Sequence, residues 1–156
     1  MGAKTLFPQV LNRRYEPLRR LGAGAMGEVV AARDHLLERD VAVKLLKPDR
    51  KPSEGRLREE FALLASLDHP GVVRVHEVGM ADQVLYLTAD LLEGERLDAF
   101  LKRSPPPLVV DRVLHDLLAT LAWLHHENVI HADLKPANIL LLPGAEGPWP
   151  VLIDFG

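Results

Sequence analysis

Apolar residues along this 156-residue chain change their spacing several times, and each change marks an element. From Tyr15 onward they fall in short β-prone runs separated by turn residues. Leu18–Leu21 is one. Glu28–Ala32 follows a glycine cluster, and Val41-Ala42-Val43-Lys44-Leu45-Leu46 is ended by Pro48. Similar runs recur at Val72–Val78 and Val84–Thr88, and such runs bounded by turn formers predict strands. Between the third and fourth, Leu57, Phe61, Leu64 and Leu67 recur at i, i+4, i+7 and i+10, one face of a helix that Pro70 ends. Val110, Leu114, Leu117, Leu118, Leu121 and Leu124 mark a longer helix running to about His125, and a shorter one is predicted over Arg96–Lys102. Short strands return over Val129–Leu142 and Val151–Ile153. This order predicts an α+β fold: a small antiparallel sheet with one main helix, joined to a mostly helical region.

Composition narrows the setting. The length suits one compact domain with a real core. Met1–Arg14 reads as a polar lead-in and Pro105–Pro107 as a stiff connection. With no cysteine, disulfides and thiolate metal sites are excluded. A net charge of −3 and a pI near 6.2 supply no basic field, so nucleic acid is not an expected partner. No apolar run approaches the roughly 18 residues that a membrane span needs. Met1–Leu6 lacks a signal-peptide core, and Leu6 stands where the myristoylation pattern requires Ser or Thr. The expected setting is soluble and cytoplasmic.

Four segments carry chemistry. Gly22-Ala23-Gly24-Ala25-Met26-Gly27 is a G-x-G-x-x-G turn, whose glycines let backbone approach phosphate oxygens without a Cβ clash. A dinucleotide-binding turn would need a helix after it, whereas β-prone Val29–Ala32 follows, so this loop joins two strands. In Val41–Leu46, Ala42 and Lys44 share one face of the strand. A cation there calls for a carboxylate, because an unpaired buried ammonium is costly. The first helix offers Glu59 and Glu60. On a helical wheel Glu60 lies about 45° from the centre of the apolar stripe and Glu59 nearly opposite, so Lys44–Glu60 is the expected pair. Finally, His131-Ala132-Asp133-Leu134-Lys135-Pro136-Ala137-Asn138 follows Val129-Ile130, and Val151-Leu152-Ile153 leads into Asp154-Phe155-Gly156.

Taken in order, G-x-G-x-x-G-x-V, V-A-V-K, a helix Glu, H-x-D-L-K-P-x-N and D-F-G resemble the signature set of the protein kinase family. The likeness covers Tyr15–Gly156, and Leu91–Leu97 is similar to the interlobe hinge of bacterial serine/threonine kinases. It implies a five-stranded antiparallel N-lobe with one main helix over residues 15–90, preceded by the lead-in 1–14. Residues 91–156 would hold the hinge and the start of a helical C-lobe.

The resemblance also implies roles. Gly22, Ala23, Gly24, Ala25, Met26 and Gly27 would cover the phosphates of ATP, with Val29 against the adenine. Lys44 would hold the α- and β-phosphates, positioned by Glu60. Ala42, Leu140 and Ile153 would line the adenine slot, backbone of Asp90 and Leu92 would meet its edge, and Ala89 would be the gatekeeper. Asp133 would orient a protein Ser/Thr hydroxyl and take its proton, and Lys135 would stabilise the transferred phosphoryl group. Asn138 and Asp154 would hold Mg2+. Lys135, two residues after Asp133, resembles the serine/threonine branch.

Three departures stand out. Ala132 replaces the arginine that commonly precedes the catalytic aspartate, which implies activity independent of a phosphorylated activation loop. Pro143–Pro150 reads as an extended hairpin tip, with Trp149 a packing residue. The chain stops at Gly156, before the family's activation segment and substrate platform. The expectation is a fragment whose remaining C-lobe follows in cis, inactive by itself, its Leu114–Leu124 face a sizeable apolar patch if left bare. The competing expectation is a pseudokinase-like module that binds ATP without transferring phosphate.

Overall fold

A computed structural model describes residues 10–24, 27–46, 61–81 and 84–155. The chain forms two compact units. One comprises the described residues up to Leu67 together with Arg74–Leu91; the other comprises Asp68–Val73 and the chain from Leu92.

The first unit is a five-stranded antiparallel sheet: β1 (Tyr15–Ala23), β2 (Gly27–Asp34), β3 (Arg39–Leu46), β4 (Val75–Ala81) and β5 (Val84–Asp90), in the order β1-β2-β3-β5-β4. Strand period governs β3. Val41, Val43 and Leu45 are buried on one face, while Ala42, Lys44 and Leu46 are partly covered on the other. The buried face packs with Val30, Ala32, Tyr86, Leu11 and Tyr15. Tyr15 and Tyr86 meet edge-to-face at 5.8 Å. The fourth strand, expected over Val72–Val78, begins only at Val75 and runs on to Ala81. Of the first predicted helix, residues 61–66 (α1) are described and helical.

Residues 10–14, read from the sequence as part of a polar lead-in, pack into this unit. Leu11 is 2% exposed. Arg14 donates from Nε and Nη2 to both oxygens of Asp34, each at 2.8 Å, and from Nη1 to Glu77 at 2.7 Å. Its carbonyl accepts from His35 N. Asp34 Oδ1 also accepts from Leu36 N and Leu37 N, which folds the β2–β3 turn around the carboxylate. The guanidinium is the main reason the Asp34 carboxyl is pulled down to about 2 from 3.8.

The second unit contains β6 (Glu95–Arg96), α2 (Leu97–Lys102), α3 (Pro107–His126), β7 (Ile139–Gly144) and β8 (Gly147–Leu152), the strands pairing as β6-β7-β8. On α3 the buried stripe is Val113, Leu117, Thr120 and Leu124. The expected stripe is therefore half right: Leu117 and Leu124 are buried, but Leu114 and Leu118 are 45% and 65% exposed. Segment 68–73 accounts for the shift. A Cβ on Gly71 would lie 2.1 Å from Thr120 Oγ1, so only glycine lets that segment close over the helix there. His69 stacks on Trp123 at 4.6 Å, and Gly71 O and Val73 N bond Leu152.

Two sequence expectations fail here. Val129-Ile130 is not a strand: Val129 N caps α3 by bonding Leu124 O, and Ile130 is 76% exposed. Pro143–Pro150 is not an extended tip but mostly ladder, turning over Ala145 and Glu146 alone. Pro148 and Pro150 are tolerated because β8 is the outer strand, where a missing N–H costs little. Trp149 Nε1 donates to Pro70 O at 3.1 Å, a packing role as expected.

Asp34, with its pKa lowered on folding, contributes stability that is present above about pH 3.8 and lost as pH falls toward 2. Arg14→Met is therefore expected to cost about 2–4 kcal/mol at neutral pH, because it strands a buried carboxylate. In denaturant titrations the gap to wild type should shrink from pH 4 to pH 2. A variant as stable as wild type at neutral pH, or a gap constant down to pH 2, would contradict this role.

Candidate functional site

In the first unit the glycine turn closes the β1–β2 hairpin. Gly22 pairs with Val29 and Ala23 with Glu28, and Gly24 N donates to Gly27 O at 2.9 Å. The glycines differ in what requires them. Gly27 has φ +153°, and a Cβ there would sit 1.8 Å from Leu45 O, so the approach of β2 to β3 excludes a side chain. At Gly22 and Gly24 a Cβ would meet nothing within 4 Å among the described residues. The fold requires glycine at Gly27 but not, by packing, at the other two. Ala25 and Met26 lie outside the described residues.

Lys44 lies opposite Val29 on β2 and Leu87 on β5, and Ala42 lies opposite Ala31 and Ala89. Lys44 is partly covered, on the face of β3 turned away from the core, with Ala42 beside it as the alternation required. Asp90 ends β5 opposite Val41. Glu60, the expected partner of Lys44, lies outside the described residues.

In the second unit the loop from His131 to Asn138 is tied to itself. Lys135 Nζ donates to Asp133 Oδ2 at 2.6 Å, and Asn138 Nδ2 donates to the same oxygen at 2.9 Å and to Asp133 O at 3.0 Å. Asn138 N bonds Lys135 O, closing a 3-10 turn over Pro136–Asn138. Asn138 is 4% exposed. The Lys135 ammonium, and after it the Asn138 amide, hold the Asp133 carboxyl below the usual carboxylate range.

His131 joins this loop to the segment after β8. It is buried, accepts at Nδ1 from Asp133 N (3.3 Å) and bonds Ile153 O through Nε2 (3.0 Å). Since a carbonyl only accepts, Nε2 carries the hydrogen. Phe155 packs on the imidazole at 4.6 Å, and Ile153 N bonds Asn138 O at 2.9 Å. The backbone is left-handed at Ala132 (φ 64°) and Asp154 (φ 55°), two of the seven non-glycine residues with positive φ among the described residues. Leu140 sits in β7 opposite Val151, partly covered; Leu92 and Ile153 are also partly covered, outside the strands. Asp133, Lys135, Asn138 and Ile153 are thus brought together by direct bonds, and Asp154 follows Ile153. Sequence reasoning gave no role to His131 or Phe155; the former's place in the motif was the available signal.

Among the described residues no three His, Cys, Asp or Glu side chains are arranged to hold a metal. The second unit does present oxygen donors of the kind Mg2+ uses. Asp133 engages the Asn138 amide nitrogen, so the amide oxygen is the atom a hard cation could use. Also among the described residues, no helix is long and apolar enough to cross a membrane.

The comparison that decides the family is a match of residues 15–156 to the protein kinase domain. The chain belongs to the protein kinase domain family. Relatives include serine/threonine-protein kinase pkn2 of Myxococcus xanthus, 38% identical over 94% of this chain and 18% of its own length. PrkC of Bacillus subtilis is 32% identical over 87% of the chain and 22% of its own length. PknB of Mycolicibacterium smegmatis is 38% identical over 96% and 25%. This kinase chain thus spans about a fifth to a quarter of these relatives. Its five-stranded antiparallel sheet agrees with the fold expected for the family's N-lobe.

If Asp133 N and Ile153 O both engage His131 in this kinase chain, its ring is neutral with the hydrogen on Nε2 in the folded protein. Long-range proton–nitrogen NMR correlations should show a bare Nδ1 and a protonated Nε2. A ring protonated on Nδ1 would contradict the geometry.

Proposed function

We propose that this chain supplies the nucleotide-binding and catalytic-loop part of a serine/threonine protein kinase, transferring the γ-phosphoryl group of ATP to a protein Ser or Thr hydroxyl. The observation that carries the reading is the Asp133–Lys135–Asn138 arrangement, in which one carboxylate, one ammonium and one amide are fixed within a single loop. Phosphoryl transfer asks little covalent chemistry of a protein; it asks for positioning and for neutralisation of charge. Asp133 orients the hydroxyl and takes its proton as the oxygen bonds to phosphorus and the bond to the β-phosphate breaks. Its low pKa suits that role, because a loose transition state calls for a well-placed acceptor more than a strong base. Lys135 faces the transferred group as a cation.

In this reading Gly22, Ala23, Gly24, Ala25, Met26 and Gly27 cover the phosphates. The absence of any packing need for glycine at Gly22 and Gly24 supports it, since a bound phosphate would give those positions their reason. Lys44, positioned by Glu60, holds the α- and β-phosphates. Val29, Ala42, Leu140 and Ile153 contact the adenine, Ala89 stands at the gatekeeper position, and backbone of Asp90 and Leu92 meets the adenine edge. Asn138 and Asp154 hold Mg2+, which when bound neutralises charge on the phosphate oxygens. The substrate class, the cytoplasmic setting and a C-lobe supplied in cis belong to the same proposal.

The test is transfer of radiolabelled γ-phosphate from ATP to a generic Ser/Thr-containing protein by the intact protein that contains this chain. Asp133→Asn should lower the rate by about 10²-fold or more while leaving ATP binding within a few-fold. ATP binding without transfer in the wild type would instead favour the non-transferring regulatory module and overturn the proposal.

A further inference from the structure

The ladder between β4 and β5 contains one irregularity. Val75 pairs with Ala89 and Glu77 pairs with Thr88, so His76 is an extra residue on β4, a β-bulge. Bulges re-aim side chains and are frequent beside functional sites. The bulge is accommodated by a side chain: Glu77 N donates to the hydroxyl of Thr88, which is 1% exposed, at 3.2 Å. The His76 ring turns toward the end of β5, where its Nε2 lies 2.7 Å from Asp90 Oδ1. A carboxylate oxygen only accepts, so Nε2 is the donor. Asp90 N also donates to Arg74 O at 3.0 Å. Residue 90 is therefore gripped twice, its amide by Arg74, just before β4, and its carboxylate by His76 within β4. The His76 side chain is largely covered and that of Asp90 about half exposed, so the contact is shielded on the histidine side.

We infer that His76 is a positioning residue for adenine recognition, acting through Asp90: by holding the carboxylate it fixes the direction in which the backbone of residue 90 presents its polar groups. The inference rests on the reading that this backbone meets the adenine edge. A backbone recognition element carries no side-chain identity, so its precision depends on what immobilises the peptide. Here a bulged histidine does so from the neighbouring strand.

Equilibrium binding of ATP and of inorganic tripolyphosphate to the intact protein separates the possibilities. His76→Phe keeps a ring and loses the donor; it should weaken ATP about tenfold and leave tripolyphosphate, which has no adenine, unchanged. His76→Gln, which returns an N–H donor to the same place, should restore ATP affinity to near wild type. Asp90→Ala removes the acceptor from the other side and keeps the test open if the histidine variant folds poorly. It should show the same ATP-specific loss, and the double variant should lose little more than either single one. Equal ATP affinity in His76→Phe and wild type overturns the inference. So does an equal loss of ATP and tripolyphosphate, which would make the contact merely structural. Failure of the wild type to bind ATP at all would instead remove the nucleotide-binding reading beneath it.

Discussion

The candidate site of this kinase chain depends on one carboxylate held by its own loop. Asp133 receives Lys135 and Asn138 on a single oxygen and Asn138 again on its carbonyl, while its amide reaches back to His131. Four functional groups within eight residues thus take their positions from one another. A loop without strand or long helix has no ladder to define it, and its polar groups must be satisfied locally. The 131–138 segment meets that requirement with the same side chains that phosphoryl transfer would use. His131 then passes the constraint on: its bond to Ile153 O and its packing on Phe155 place the segment carrying Asp154 relative to the loop.

A second constraint acts in the sheet. The Leu11 and Arg14 segment, with Tyr15 and Tyr86, covers the face of β3 that carries Val41, Val43 and Leu45. With that face occupied, period-2 alternation sends Ala42 and Lys44 to the other. The face that carries Ala42 and Lys44 is thus set by what the opposite face buries. The glycine turn follows the same logic. Gly27 answers to Leu45 O, whereas a Cβ at Gly22 or Gly24 would meet nothing within 4 Å among the described residues.

The elements written into local sequence were legible. β3 showed alternation and a closing proline, and α3 ended within a residue of its expected limit. The G-x-G-x-x-G turn was correctly assigned to a strand–strand connection because β-prone residues follow it. What was missed depends on distant partners. Arg14 looked like part of a polar lead-in because its partners, Asp34 and Glu77, lie 20 and 63 residues away. Leu114 and Leu118 fit helical periodicity as well as Leu117 does; Gly71 and the segment around it decide which side of α3 is covered. Val129-Ile130 has β-prone composition but no partner strand, and propensity for a strand is largely a propensity to pack in one. His76 carried no signal at all, since a bulge appears only in the register of two strands.

The most direct test of the Asp133-centred account is a carbon-detected NMR titration of the Asp133 side-chain carboxyl in the wild type and in Lys135→Ala. The account predicts a wild-type midpoint below the ordinary 3.8, because the ammonium favours the ionised form, and a clear rise toward that value in the variant. Identical midpoints near 3.8 in both proteins would contradict it, showing that the loop does not hold its carboxylate in the way the rest of the site requires.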